Sequence, residues 1–271
     1  MNTTARRIRS TALATLALTA GLLGSACSSG GGPEAIASPT SSTTAQVSTT
    51  VADSGSASTA PSSTTVPAVE RQPAQVIRSD HDLVVHSQPT LESDSRTIPA
   101  QTEFGSALAL LVTDDSVGGW MEVLVPGRPT GATAWLPLEG SGASLRTVTL
   151  SLEVDLTART LSLFDGDRVL LTTPVAIGSA DAPTPTGVFS ITDKLQDPDP
   201  NGAYGPFALG LSGRSEVLTD FAGGDGQIGI HGTNDPSSIG QDVSHGCIRV
   251  PNEVITQLNE VLPLGTPVVV R

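Results

Sequence analysis

Residues 230–250 read IHGTNDPSSIGQDVSHGCIRV, and the pattern in and around them decides how the C-terminal half of the chain folds. His231 ends a predicted strand, which would hold its imidazole rigidly. The polar loop over residues 232–244 is long enough to bring Cys247 back beside that histidine. Two of the four histidines and the only cysteine after Cys27 therefore fall within 17 residues.

This grouping is typical of a reactive thiol. A thiol is a good nucleophile only after it loses its proton, so it needs a base or a positive charge nearby. His231 and His245 can supply the base, and Arg249 adds a positive charge two residues after Cys247. Gly246 would let backbone N–H groups point at a developing oxyanion without obstruction by a side chain.

The residues alone leave two other interpretations of Cys247 open. The thiol could pack as a small buried hydrophobe, as free cysteines commonly do, but this leaves the two histidines and Gly246 unexplained. Alternatively, His231, His245, Cys247 and one carboxylate could bind zinc, although the His-x-Cys spacing is cramped for a structural zinc site.

The residues on both sides of this stretch predict a mostly β fold over residues 145–271. Apolar and more polar residues alternate from Val148 to Val154, which is the period of a half-buried strand. Asp165-Gly166 is a hairpin turn signal. One short C-terminal helix is predicted, with Asn252 as its N-cap and with an apolar face formed by Val254, Leu258, Val261 and Leu262.

The motifs resemble the active-site signature of the L,D-transpeptidase catalytic domain family. The resemblance rests on His231-Gly-Thr followed by Ser244-His-Gly-Cys-Ile-Arg249. It covers most of 145–271, in the family's order, with further matches at Pro174–Gly178, Thr184–Gly187, Ala203–Pro206 and Leu264–Val268. The resemblance implies a β-sandwich catalytic domain that acts on peptidoglycan stem peptides and requires no cofactor.

The resemblance also implies catalytic roles. Cys247 would be the nucleophile that attacks the carbonyl of the diamino-acid residue at the third stem position and releases the terminal D-alanine. His231 would be the general base, oriented by a neighbouring backbone carbonyl because Gly232 has no side chain. His245 would shape the site and stabilise the thiolate. The backbone amides of Gly246 and Cys247 would donate to the oxyanion.

Three residues are expected at the substrate: Arg249, Tyr204 and Gly232. Arg249 would position a substrate carboxylate or the catalytic loop, and an ion pair with an acidic residue is its structural alternative. Tyr204 lies in a segment that resembles a substrate-covering loop, and turn packing is the alternative role.

The acyl acceptor is left open by the sequence. A side-chain amine of a second stem would give a cross-link between third-position residues, water would give L,D-carboxypeptidase trimming, and a D-amino acid would give exchange. A non-catalytic lipoprotein that binds peptidoglycan is a further alternative, but a pure binder would gain nothing from a reactive thiol.

Short apolar runs separated by turn residues predict a small all-β module over residues 75–143. Within it, Gly118-Gly-Trp120 and Gly131-Ala-Thr-Ala-Trp-Leu136 resemble parts of a bacterial Src-homology-3-like barrel. His81 and His86 also lie in this module, without a cysteine or clustered carboxylates at ligand spacing, and are interpreted as bystanders.

The N-terminal segment predicts export. Residues 1–26 combine three arginines, an uncharged apolar run from Thr11 to Gly24 and small residues before Cys27, as in a secretory signal. Leu23-Gly-Ser-Ala-Cys27 resembles a bacterial lipoprotein box, which would make Cys27 the lipidated first residue. Cleavage nearby by the ordinary signal peptidase is the alternative, with secretion to the cell wall.

Residues 27–74 predict a disordered tether, because 34 of the 41 residues from Ser28 to Ala68 are Ser, Thr, Gly, Pro or Ala. The net charge of −13 argues against a nucleic-acid partner, which needs a basic surface. Attachment to the outer face of the cytoplasmic membrane would then come only from the lipid. The oligomeric state is not indicated by the sequence.

Overall fold

Alternating apolar residues build two large β-sheets in the computed structural model, which describes residues 71–220 and 224–271. The predicted signal peptide, Cys27 and all but the last residues of the predicted tether lie outside these ranges. The prediction of a mostly β chain with one short C-terminal helix is confirmed. Over the same ranges, no helix has the length and apolar character needed to cross a membrane.

The N-terminal sheet has seven strands in the order β3-β2-β6-β5-β4-β1-β7. Apolar residues at alternate positions, such as Leu83 and Val85, point into its core, which is built around Ile77, Leu110 and Leu136. The strands are β1 (Ala74–Arg78), β2 (Leu83–His86), β3 (Ser95–Ile98), β4 (Ala109–Asp114), β5 (Trp120–Leu124), β6 (Thr133–Pro137) and β7 (Ser144–Val148).

The C-terminal sheet has eight strands in the order β10-β9-β8-β17-β12-β13-β14-β16, and β11 pairs with β15 beside it. The predicted hairpin turn at Asp165-Gly166 is confirmed, since it joins β9 to β10. The strands are β8 (Leu150–Asp155), β9 (Thr160–Asp165), β10 (Arg168–Pro174), β11 (Ile177–Gly178), β12 (Gly187–Gln196), β13 (Phe207–Arg214), β14 (Gln227–His231), β15 (Asp242–Ser244), β16 (Ile248–Arg249) and β17 (Pro267–Val270).

The helix α1 (Asn252–Val261) packs against β13 and β14 through Val254, Ile255 and Leu258. The prediction that Asn252 caps this helix is wrong. Pro251 is the N-cap residue and makes no side-chain capping bond, and Asn252 is the first helical residue. The Asn252 side chain instead accepts a hydrogen bond from the backbone of the loop that follows β14.

The parallel pairing of β14 with β16 positions the sequence motif. Ile230 pairs with Ile248 and His231 pairs with Arg249. The connection between the two strands holds a 3-10 turn at Pro236–Ser238, where Asp235 Oδ1 accepts from the Ser237 amide at 3.2 Å. Cys247 therefore lies immediately before the strand that runs alongside the one ending in His231, as the loop length predicts.

Candidate active site

A cavity of about 440 Å³ lies above the end of β14, and both His231 and Cys247 are part of its wall. The connection between β12 and β13 supplies another part of this wall, including Tyr204. A third part comes from Glu103 and Phe104, which lie on the loop between β3 and β4 of the N-terminal sheet. The site is thus built from three segments that are distant in sequence.

The His231 ring is held by its own neighbour in the chain. Its Nδ1 lies 2.6 Å from the carbonyl oxygen of Gly232, and the side chain is buried. Because a carbonyl oxygen only accepts hydrogen bonds, Nδ1 carries the proton and donates it. The neutral ring then has an unprotonated Nε2. A backbone carbonyl therefore lies where the sequence analysis expects one that orients the ring.

Burial, and to a smaller extent the nearby charge of Arg249, lower the pKa of His231 from 6.5 to about 4, although the hydrogen bond to Gly232 acts to raise it. The imidazolium would have to be desolvated without a carboxylate partner, so the neutral ring is favoured. At neutral pH His231 is therefore a neutral imidazole that can accept a proton.

Cys247 is partly exposed at the cavity wall. Burial raises the pKa of its thiol above 9.0, while a backbone hydrogen bond from Gly229 and the charge of Arg249 oppose this shift. The resting site therefore holds a thiol and a neutral imidazole, rather than a thiolate and an imidazolium. The thiol proton has to move during the attack itself.

The loop before Cys247 is shaped by Ser244. The buried Ser244 hydroxyl accepts from the Gly246 amide at 3.1 Å and donates to the Cys247 carbonyl at 2.5 Å. The structure thus gives the Gly246 amide a partner other than an oxyanion. The sequence analysis assigned no role to Ser244, although its place at the start of the Ser-His-Gly-Cys motif was the available signal.

Gly246 has a backbone that only glycine adopts readily, with φ of +111°. A Cβ at this position would also meet Ile228 Cδ1 at 2.9 Å. The backbone conformation therefore favours glycine immediately before the thiol, and a larger residue would also require the end of the Ile228 side chain to shift.

Tyr204 lies over His231, with ring centroids 4.7 Å apart and an angle of 61° between the planes. Gly205 makes this approach possible, because a Cβ there would lie 2.7 Å from Gly232 Cα. Asn252 holds the other side of the contact, since its Oδ1 accepts from the Thr233 amide at 2.7 Å. Sequence reasoning missed this function of Asn252.

Arg249 is half-buried, and its charge influences the pKa values of Cys247, His231 and Tyr204. Within residues 71–220 and 224–271 it forms no ion pair, and its Nε is buried without a hydrogen-bond partner. The predicted structural alternative, an ion pair with an acid, is thus not found there. This leaves the guanidinium as the positive charge of the site.

The three remaining histidines lie elsewhere. His245 has an exposed side chain and is not part of the cavity wall. His81 contacts Asp80 and the Ser141 carbonyl, and the His86 ring packs edge-on against Trp120 at 5.5 Å. In the part of the chain that the structure describes, no group of three or more His, Cys, Asp or Glu side chains is arranged to hold a metal ion.

Comparison with known proteins identifies the family of this domain. The family model for the L,D-transpeptidase catalytic domain (YkuD) matches residues 150–270. A protein named "Putative L,D-transpeptidase YkuD" from Bacillus licheniformis is 39% identical over 122 residues, which cover 45% of this chain and 66% of that protein. Its namesake from Bacillus subtilis is 37% identical over 125 residues, covering 46% and 68%.

Solved structures include an L,D-transpeptidase from Mycobacterium smegmatis, with 19% identity and a TM-score of 0.38, which covers 74% of this chain and 99% of that one. The catalytic domain of an E. faecium L,D-transpeptidase has 27% identity and a TM-score of 0.34, and covers 45% and 96%. The segment that the family model matches contains His231 and Cys247. On these matches, the chain belongs to the L,D-transpeptidase catalytic domain family.

Proposed function

We propose that the protein is a peptidoglycan L,D-transpeptidase that cross-links third-position residues of stem peptides through a Cys247 acyl-enzyme. The observation that carries this proposal is the hydrogen bond of His231 Nδ1 to the Gly232 carbonyl, at 2.6 Å. It leaves Nε2 as the basic atom of a ring that shares one cavity with the thiol. A nucleophile and an oriented base are the two groups that acyl transfer requires.

In the first half-reaction, Cys247 Sγ attacks the carbonyl carbon of the third stem residue while His231 Nε2 takes the thiol proton. The Cys247 amide donates to the oxyanion, because the Gly246 amide already donates to Ser244. The carbon–nitrogen bond to D-alanine then breaks, and the proton on His231 moves to the departing amine. The products are a thioester and free D-alanine.

In the second half-reaction, the side-chain amine of another stem attacks the thioester carbonyl. His231 Nε2 takes a proton from this amine, the carbon–sulfur bond breaks, and the proton returns to Cys247. Since His231 is neutral before each step, it can serve both half-reactions without a change of resting state.

Arg249, Tyr204 and Gly232 complete the proposed site. The Arg249 guanidinium, which forms no ion pair with the residues that the structure describes, suits a carboxylate of the donor stem or an anionic intermediate. Tyr204 covers His231 and borders the donor. Gly232 contributes its carbonyl to His231, and its lack of a side chain leaves room for Asn252 and Gly205. His245 supports the loop that carries Cys247.

Export and wall location belong to the same proposal. A signal peptide over residues 1–26, a lipid on Cys27 and a tether over residues 27–74 would hold the domain near the outer face of the cytoplasmic membrane. The N-terminal sheet would be a Src-homology-3-like module that accompanies the catalytic domain. The start of the mature protein is accessible by intact-mass measurement, and an unmodified first residue would contradict the lipid.

The test is mass spectrometry of the purified protein incubated with a disaccharide tetrapeptide, beside Cys247→Ala. We expect an adduct lacking D-alanine, followed by dimeric product, and neither from the variant, because it has no nucleophile. The same adduct followed only by tripeptide would indicate an L,D-carboxypeptidase. No adduct from folded protein with a free thiol would indicate a non-catalytic binding lipoprotein.

A further inference from the structure

The loop between β3 and β4 crosses from the N-terminal sheet to the catalytic sheet and is fastened there by a buried contact. Thr102 Oγ1 donates to Asp193 Oδ1 at 2.5 Å, across 91 residues of sequence. Asp193 is only 1% exposed and lies on β12. A buried carboxylate needs donors for each oxygen, so this hydroxyl contributes to holding it.

The other carboxylate oxygen of Asp193 links the Thr102–Asp193 contact to β14. Asp193 Oδ2 accepts from Thr192 Oγ1 at 2.8 Å and from Gln227 Nε2 at 3.1 Å. Gln227 begins β14, the strand that ends in His231. Through Gln227, the loop anchor on β12 is therefore hydrogen-bonded to the strand that carries the proposed base.

From this anchor a tight turn directs the next two residues to the cleft. The Gly105 amide donates to the Thr102 carbonyl at 2.9 Å, and the Thr102 amide donates to the Ser106 carbonyl at 2.9 Å. Gly105 has φ of +80°, which glycine adopts without strain. Glu103 and Phe104 are left exposed, and both line the cavity that holds Cys247.

The charge of the cavity wall suits a cation. Its acidic lining residues are Glu103, Asp197 and Asp225. Arg249 acts electrostatically on Cys247 but is not among the residues that line the cavity. Asp225 is paired with Arg214 at 2.6 Å. Glu103 and Asp197 form no ion pair with any residue that the structure describes, so their charges are available to a ligand.

A second cavity, of about 330 Å³, continues from the first along the junction of the two sheets. Glu103, Phe104, Asp225 and Gln227 line both cavities. Transfer between two stem peptides requires space for both of them near Cys247. The second cavity, at the junction of the two sheets, provides space for the second peptide.

We propose that Glu103 and Phe104 form the subsite for the acyl acceptor, an alkylammonium side chain of a second stem peptide. Phe104 would pack against the methylene groups, and Glu103 would attract the ammonium. As the amine leaves Glu103 for the thioester it loses one proton to solvent. Its second proton passes to His231 and then to Cys247 as the carbon–sulfur bond breaks. This assignment rests on the proposed transpeptidase function.

Glu103→Gln tests the assignment, with Glu139→Gln as control, since Glu139 is exposed on the same sheet and lines neither cavity. The rate of adduct formation and the ratio of dimer to tripeptide are measured together. We expect the ratio to fall about fivefold for Glu103→Gln and to stay at the wild-type value for the control, because one ion pair is lost. Adduct formation should continue in both variants.

Thr102→Val provides an independent second variant, because it keeps the branched shape and removes only the hydroxyl that binds Asp193. We expect the same fall in the ratio, together with a higher acceptor KM. An unchanged ratio in Glu103→Gln would overturn the subsite, and so would an equal fall in adduct formation, which would place Glu103 on the donor side. No adduct from wild-type protein would overturn the transpeptidase proposal itself, and the subsite with it.

Discussion

The Ser244 hydroxyl donates to the Cys247 carbonyl at 2.5 Å and accepts from the Gly246 amide at 3.1 Å, and so closes the loop that presents the thiol. When a buried hydroxyl is removed, water does not take its place, and the groups that it bound are left without a hydrogen-bond partner. The position of Cys247 therefore depends on a side chain that does not touch the substrate.

Ser244→Ala is expected to reduce the free energy of unfolding by about 1–3 kcal/mol, because two buried backbone groups lose their partner. The rate of adduct formation should fall at the same time, and Ser244→Thr should restore part of it. Denaturant unfolding and adduct kinetics measure the two effects. Ser237→Ala is the control, since Ser237 is exposed in the same connection and lies outside the cavity wall. Equal adduct rates in Ser244→Ala and wild type would contradict the positioning role.

Gly246→Ala is expected to impair both folding and acylation. The added Cβ would stand 2.9 Å from Ile228 Cδ1 on a backbone with φ of +111°. Gly240→Ala is a matched control, because Gly240 also has a positive φ, of +87°, but nothing lies within 4 Å of its Cβ position. We expect a loss of about 1–3 kcal/mol of unfolding free energy in both variants, with a loss of acylation only for Gly246→Ala. Similar acylation rates would show that the contact with Ile228 is unimportant.

Protein stability should decrease in mild acid because of His231. The unfolded chain binds a proton near pH 6.5, whereas the folded chain binds it only near pH 4. The contribution of the neutral His231 ring to the free energy of unfolding is thus complete above pH 6.5 and is lost as the pH falls toward 4. The total loss is about 3 kcal/mol.

His231→Asn removes this titration, and its amide can still donate to the Gly232 carbonyl. The fall in unfolding free energy between pH 7 and pH 4.5 should therefore be smaller than in wild type. If His231→Asn and wild type lost equal stability, the buried neutral imidazole would be refuted.

Cys247 should react slowly with iodoacetamide at neutral pH. Because burial raises the pKa of its thiol above 9.0, little thiolate is present at pH 7. The alkylation rate should keep rising beyond pH 9. Cys247→Ser reports any reaction at other sites. A plateau of the rate below pH 7 would show a resting thiolate instead.

The strands and the active-site motif could be predicted from the sequence because both depend on residues that are close together in the chain. Period-two alternation near Leu152 and Val154 reflects the two faces of a strand, and the Asp165-Gly166 turn needs only its own backbone. The short spacing of His231 and Cys247 also indicated a candidate active site, because a nucleophilic thiol requires a base nearby. The helix was predicted with the wrong first residue, since the Asn252 side chain has a tertiary partner that outcompetes capping.

The sequence by itself determined the mostly β class, the C-terminal helix and the grouping of His231 with Cys247, because each depends on residues that are near one another in the sequence. Only the tertiary structure decided the ionisation of the site, because burial sets the pKa values of both groups. It also decided that the loop anchored by Thr102 and Asp193 brings Glu103 to the cleft. The hydrogen bond between Thr102 and Asp193, which are 91 positions apart, forms only once both sheets have packed, so no local sequence pattern predicts it.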